Sequence, residues 1–417
     1  TRAGPFAGAR SDVLLLPALL LDPSDNGLVL ASGLRRRGVA VTILASPDYA
    51  WVARTRAASG EVLPSIRADR GRWLARLQRL GELPSGVLIP ASDTACELVA
   101  TERERIPEAL RSFEAADSSH LHLLDKDWTY RLAERLQIRH PRSWRLSSPE
   151  DLEGVAERAT YPCLLKPTIS HRWREHFGTV RVLVLRSQDD LLRSARPPLA
   201  AGLSLLISEY IPGPDRNLEA IVTVRRDDGT FALEYGRRKI RQQPPSFGGG
   251  TLQESIDPSG LRDLARRLLS EVDFVGVSSI EVKRHAESGE PVLIEVNVRI
   301  PQSWGIGDAS GADASWRLYA TLAGLPLPPQ PRQALHVRSV VPTLEVHAIA
   351  RAAMGRQSLR RLIRTYRGVA DVSGLSFRDP APALALLRSL LVSGARQVLT
   401  GDLTRRMKRY PAPPAPS

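Results

Sequence analysis

The sequence predicts an α/β protein that opens with a Rossmann-like parallel sheet and continues into α+β structure. Three observations carry that expectation. Short apolar runs alternate with helical patterns through the first hundred or so residues, the spacing of strands joined by helices. From Leu218 onward, β-rich runs follow one another through short turns, as antiparallel pairs do. The chain has 417 residues, 42% of them hydrophobic, which allows about three packed domains at ~100 to 200 residues each.

Val13-Leu14-Leu15-Leu16 reads as the first strand, inside an apolar run that contains Pro17 and ends at Asp22. That run is far short of the ~18 to 20 apolar residues of a membrane span. No small-residue cleavage site follows it, so a buried strand and turn are expected rather than a signal peptide. A helix near Gly27 to Arg37, a strand from Val39 to Leu44 and a strand Gly86-Val87-Leu88-Ile89-Pro90 follow. The turn Asp22 to Gly27 falls at the carboxyl edge of this sheet, where open α/β folds hold ligands. It lacks G-x-G-x-x-G, which argues against a dinucleotide site. Asp93 lies just past a strand, either as a ligand at the same edge or as the N-cap of a helix starting at Thr94.

Trp128, Leu132 and Leu136 recur at helical spacing from about Asp125 to Gln137, and His140-Pro141 stops that helix. Tyr161 to Pro167 is a short buried strand that carries Lys166 to its end, and Val180 to Leu185 and Leu203 to Ile211 are further strands. Two runs between Leu218 and Arg241 flank Asp227-Asp228-Gly229, and Val277 to Lys283 with Val292 to Val298 flank Glu287-Ser288-Gly289-Glu290, so both pairs are read as hairpins. Gly248-Gly249-Gly250 is expected to be a mobile loop. Short strands and helices follow Pro331, and the tail Pro411 to Ser417 is expected to be disordered.

The net charge is +13, but residues 331–417 hold 15 Lys/Arg against 4 Asp/Glu, so the basic character belongs to the C-terminal part. Such a distribution fits a solvated basic face or an anionic surface, and no nucleic-acid partner is expected. In Ala383 to Leu399, Leu384, Leu386, Leu387, Leu390, Leu391 and Val398 accompany Arg388 and Arg396. This is either an amphipathic helix at an anionic interface or a helix covering the flank of the protein. Two cysteines, Cys96 and Cys163, exclude a disulfide framework and fit a reducing cytoplasm.

Three segments carry the chemistry. Glu295, Asn297 and Arg299 alternate with apolar residues and so share one face of their strand. Pairing with the preceding strand can bring Glu281 beside Glu295, and two carboxylates held together call for a cation; oxygen-only ligands suit Mg²⁺. The bland alternative is a solvated face with a cross-strand Glu/Arg pair. Lys126 and Lys166 are compact charges suited to phosphates, although either alone could be a surface residue. Leu205 to Asp215 looks like a hinge strand followed by a turn that presents a carboxylate.

In order and spacing, Asp125-Lys126, Tyr161-Pro162-x-x-x-Lys166, Glu209-Tyr210-Ile211-Pro212-Gly213 and Glu281 with Glu295-x-Asn297-x-Arg299 resemble the ATP-grasp superfamily. The resemblance spans about Ser11 to Leu325. The metal motif is similar to that of biotin carboxylase and carbamoyl phosphate synthetase. Asn26-Gly27, Gly33-x-x-x-x-Gly38-Val39 and Ile89-Pro90-x-x-Asp93 are closer to carboxylate-amine ligases distantly like D-aspartate ligase. The resemblance implies a Rossmann-like pre-ATP-grasp domain over 1–118, an ATP-grasp N-terminal subdomain (lid) over 119–200, a C-terminal subdomain with the metal site over 201–330, and a basic C-terminal extension over 331–417. It also implies roles. Lys126 and Lys166 would contact ATP phosphates, and the backbone around Glu209, Tyr210 and Ile211 would read adenine. Asp215 would hold the ribose, while Glu281, Glu295 and Asn297 would bind Mg²⁺ or Mn²⁺. Arg299 would steady the transferring phosphoryl group, with Lys239 and Arg241 nearby. The implied reaction joins a small-molecule carboxylate to an amine through an acyl phosphate, in a monomer or homodimer.

One departure stands out. Where the family often has a Gly-rich loop, this chain has Thr168 to His176, in which either Arg172 and Arg174 would replace the missing amides or the lid would behave differently, and His171 and His176 would belong to a polar lid or shuttle protons. Gln302, Ser303 and Trp304, with Arg237 to Thr251, are expected near the acceptor. Two other functions remain open: a bicarbonate-using carboxylase or carbamoyl-phosphate-type enzyme, and a degenerate ATP-binding scaffold docked on an anionic surface.

Overall fold

A computed structural model of the chain describes residues 15–81, 85–115, 119–169, 173, 182–354 and 358–399. The lid residues Arg172, Arg174, His171 and His176 and the tail Pro411 to Ser417 lie outside the described residues.

The first sheet is parallel and five-stranded, in the spatial order Ser59–Val62, Val41–Ala45, Ala18–Leu21, Gly86–Pro90, Leu110–Arg111. Its central strand corrects the expectation at the N-terminus. Leu15 and Leu16 precede the strand, which begins after Pro17, because Ala18 is the residue that enters register with Val41 and Val87; Val13 and Leu14 lie outside the described residues. Ala18 and Leu20 feed one core, and Leu19 and Leu21 feed the other. A strand covered on both faces is apolar throughout, so periodicity alone could not locate it within the longer run. The edge strand Ser59–Val62, largely exposed, and the helix Arg70–Gly81, which buries Trp73, Leu74 and Leu77, complete this layer.

A second sheet is antiparallel and four-stranded, in the order Ser143–Leu146, Leu205–Glu209, Cys163–Pro167, Leu183–Leu185. Cys163, Leu165, Leu205 and Ile207 pack on the helices Leu152–Arg158 and Gln188–Ala200. By the two-residue period, Lys166 therefore points to the opposite face. The strand Leu205–Glu209 belongs to this sheet, so the sheet runs past the boundary expected at residue 200.

The third sheet has seven strands, in the order Pro291–Asn297, Gly276–Arg284, Leu218–Arg225, Phe231–Gln243, Gly249–Ile256, Arg338–Val340, Val369–Asp371. The helix Ser259–Ser270 lays Leu261, Ala265 and Leu268 on one face, in the same core as Ile221, Ile280, Val282 and Leu293. The expected mobile glycine loop is instead ladder: Gly249 and Gly250 pair with Gln243 and Gln242. A Cβ on Gly248 would fall 1.9 Å from the backbone of Gln243, so glycine permits a close approach of two chain segments there. Among the described residues after 330, some join the elements that precede them. Arg338–Val340 extends the sheet, and Leu386 of the helix Ala381–Leu399 is buried in the core of the first sheet. Leu384, Leu387, Leu391 and Val392 of the same helix are exposed. Among the described residues no helix is long and apolar enough to cross a membrane.

Candidate active site

The site forms where the second and third sheets face each other. The register pairs Glu281 with Glu295 and Ser279 with Asn297, and it shifts between Glu281 and Val282. The shift leaves Ile294 as the extra residue of a bulge, and the Tyr130 hydroxyl donates to the Ile294 carbonyl at 2.8 Å. Leu293 and Val296 therefore enter the core beneath the sheet, while Glu295 and Asn297 share the opposite face with Glu281.

Glu281 accepts from Arg237 Nη2 and Lys239 Nζ, each at 2.9 Å, and all three side chains are nearly buried. Burial raises the Glu281 carboxyl, but Lys239 and Arg237 outweigh it and hold the group at about 2. Glu295 pairs with Lys126 at 3.0 Å. That lysine is the first residue of the helix Lys126–Arg135, whose N-cap Asp125 accepts from the Asp127 and Trp128 amides. Lys166 also feels Glu295, and burial first, then Lys126 and Lys283, lower its ammonium to about 8. Lys283 lies two residues beyond Glu281 on the same face. Burial and Lys239 bring it to about 8 against the pull of Asp215, and its ammonium sits 5.4 Å from the centre of the Tyr210 ring. Asp215 accepts from Gln242 Nε2 at 2.9 Å. Glu209 donates its amide to the Arg142 carbonyl at 2.8 Å and accepts the Arg142 amide on its carboxylate at 3.2 Å, which ties the end of the strand Leu205–Glu209 to the start of Ser143–Leu146.

Lys126, Lys166, Lys239 and Lys283 thus surround the paired carboxylates. Arg241 is directed elsewhere: Glu345 and Thr365 hold its guanidinium, which also lies over the Tyr366 ring. Trp304 is a core residue, fully buried against Tyr235, not a pocket wall. Arg299 lies beyond its strand and donates from Nε to Asp93 at 2.5 Å. Ser92, not Asp93, caps that helix by accepting from the Ala95 amide. Sequence reasoning missed Lys283, although it continues the alternation of Glu281; it also missed Glu345 and the pairing of Asp93 with Arg299, for which no local pattern exists.

Among the described residues, no three His, Cys, Asp or Glu side chains gather to hold a divalent ion by themselves. Two adjacent carboxylates with one amide on the same face supply oxygen ligands only. That is a fit for Mg²⁺, which keeps waters and takes further oxygens from phosphate.

No protein-family model matches the chain. It is 21% identical over 180 residues to the carbamoyl phosphate synthase arginine-specific large chain of Bacillus subtilis (strain 168), a match covering 42% of this chain and 17% of that protein. It is 19% identical over 222 residues to D-aspartate ligase of Enterococcus faecium (strain Aus0004), covering 51% and 53%. The chain therefore spans about half the length of one curated relative and a sixth of the other. Among solved structures it is similar to an N5-carboxyaminoimidazole ribonucleotide synthetase in its ADP complex, with TM-score 0.60, 16% identity and coverage of 82% of this chain and 86% of that one. The biotin carboxylase domain of Hydrogenobacter thermophilus 2-oxoglutarate carboxylase, solved with MgADP and bicarbonate, gives TM-score 0.60, 14% identity and coverage of 78% and 73%. L-amino acid ligase from Bacillus licheniformis gives 0.57, 14% identity and 74% of each chain. The chain has the α/β ATP-grasp fold of these neighbours.

Proposed function

We propose that the protein is an ATP-dependent ligase that joins a carboxylate to an amine through an acyl phosphate and releases ADP and phosphate. One observation carries this reading: the Glu281 and Glu295 pair stands in register on one sheet, with Lys166 reaching it from the four-stranded sheet and Lys126 from the start of the helix Lys126–Arg135.

Glu281, Glu295 and Asn297 are assigned to Mg²⁺, with Mn²⁺ as a substitute; a bound ion supplies charge neutralisation for the phosphates. Lys126 and Lys166 hold those phosphates, and Lys283 joins them from the floor of the site. The backbone around Glu209, Tyr210 and Ile211 receives adenine, and Asp215 receives the ribose. A substrate carboxylate oxygen bonds to the γ-phosphorus as the bond to ADP breaks, and Arg299 and Lys239 hold the charge spread over the transferring group. The amine nitrogen then bonds to the acyl carbon, phosphate leaves, and the nitrogen loses its proton. Arg241 is assigned to positioning the C-terminal helices, because Glu345 and Tyr366 occupy it. The two cysteines are free and buried, consistent with a reducing cytoplasm.

Bicarbonate as the carboxylate is a second reading, supported by the solved neighbour that carries bicarbonate with MgADP. An ADP-release screen over carboxylate and amine pairs, with mass spectrometry of products, tests the first reading: ADP and phosphate must form only when both substrates are present. ADP release with bicarbonate and no amine supports the second reading. AMP and pyrophosphate as the products refute both.

A further inference from the structure

Three consecutive residues leaving the metal-site strand are each held by the carboxyl edge of the N-terminal parallel sheet. The Val298 carbonyl lies 3.7 Å from Cys96 Sγ. Arg299 Nε donates to Asp93 Oδ1 at 2.5 Å, across 206 positions of sequence. The Ile300 carbonyl accepts from Asn26 Nδ2 at 3.0 Å, and the same amide group donates to Ala91 at 3.3 Å. Asn26 and Cys96 are fully buried, so these contacts are a built joint rather than surface encounters.

Asp93 has no capping duty to explain its carboxylate, since Ser92 performs it. Arg299, past the end of the strand at Asn297, has no ladder to fix its direction. A free arginine side chain is rich in rotamers, and an anchor on Nε removes part of that freedom in advance. Nη1 makes only a long contact, 3.4 Å, to the Ile300 carbonyl, and Nη2 carries no hydrogen bond among the described residues. Among the described residues the grip on the guanidinium is thus at Nε, which leaves its Nη side as the one that can meet an oxyanion.

We infer that Asp93 is the positioning residue for Arg299, so that the N-terminal sheet sets the direction of the arginine that meets the transferring phosphoryl group. The second half of that statement rests on the ligase reading; the first rests on the joint alone.

The test uses the full chain as wild type, Asp93→Asn, Asp93→Glu and Ser92→Ala. The probes are Mg·ADP alone and Mg·ADP with aluminium fluoride, a mimic of the transferring group. Asp93→Asn is expected to change Mg·ADP affinity by less than about threefold and to lose on the order of 100-fold of the fluoride-dependent tightening, since a misaimed group costs that much. Asp93→Glu should recover part of it, and Ser92→Ala should leave the tightening intact. Wild-type tightening in Asp93→Asn overturns the inference, as does an equal loss in Ser92→Ala, which would mark a merely structural role. Nitrogen-15 relaxation of the Arg299 Nε–H group in the nucleotide-free protein decides the joint separately: Asp93→Asn must make it more mobile, and unchanged relaxation overturns the inference. Wild type that ignores Mg·ADP sinks the ligase reading, while the relaxation measurement still decides what holds Arg299.

Discussion

Glu281 and Glu295 share a site but differ in what surrounds them, and the difference sets a quantitative prediction. The Glu281 side chain is 13% exposed between Arg237 and Lys239, which are 4% and 8% exposed. Glu281→Gln keeps the volume and leaves two buried cations facing a neutral amide, and breaking a buried pair in this way costs about 3 to 5 kcal/mol. Glu295 is 31% exposed with Lys126 as its ion-pair partner, a geometry worth about 0 to 1 kcal/mol. A chain with three sheets does not promise two-state unfolding, so the readout is hydrogen exchange in the strand Gly276–Arg284. Glu281→Gln should raise exchange through local opening there by about 100-fold or more, and Glu295→Gln by less than about tenfold. Adding Lys239→Met to Glu281→Gln should restore part of the protection, because it removes one of the stranded charges. Both single variants should lose Mg²⁺-dependent ADP binding in calorimetry. Equal loss of protection in the two variants refutes the burial argument, and Mg²⁺-dependent binding by Glu281→Gln refutes the metal assignment.

The pKa directions give two pH predictions. Glu281 is held at about 2, below the ordinary carboxylate range, so its contribution is complete above that range and is lost as pH falls through about 2. Wild type should therefore lose protection in that strand on acidification more steeply than Glu281→Gln. Lys166 and Lys283 sit at about 8 in the free protein, and an anionic nucleotide favours their charged forms. Mg·ADP binding above pH 8 should thus take up protons and weaken as pH rises, seen as binding heats that depend on the buffer; buffer-independent heats at pH 8.5 refute the placement. Glu345 is 2% exposed and grips Arg241. Glu345→Gln should destabilise the helices Pro342–Ala353 and Leu359–Thr365 by about 3 to 5 kcal/mol in hydrogen exchange, with Mg·ADP affinity unchanged. In the helix Ala381–Leu399, Leu386→Ala should cost about 2 to 5 kcal/mol and Leu387→Ala less than about 0.5, since the first is 7% exposed and the second 54%.

Local chemistry alone pointed to the order of the elements, the hairpin that carries the acidic residues and the lysine at a strand end. Each of these depends on neighbours a few positions away: a period of two along Ile294 to Arg299, turn residues at Asp227 to Gly229, helical spacing of Trp128, Leu132 and Leu136. The α/β class was readable for the same reason. Packing between distant segments settled the rest. The bulge at Ile294 keeps Glu295 on the face of Glu281, and it exists because Leu293 and Val296 must both reach the core under the sheet. Arg241 alternates with Lys239 in sequence, yet a register shift and the carboxylate of Glu345, 104 positions away, direct it elsewhere. Asp93 was ambiguous until Ser92 proved to be the cap and Arg299 arrived from the other end of the fold. A side chain's periodicity shows which face it shares with its neighbours, but its charge partner is whichever group the folded chain brings within about 3 Å, and that choice is made by burial, where an unpaired charge is too costly to persist.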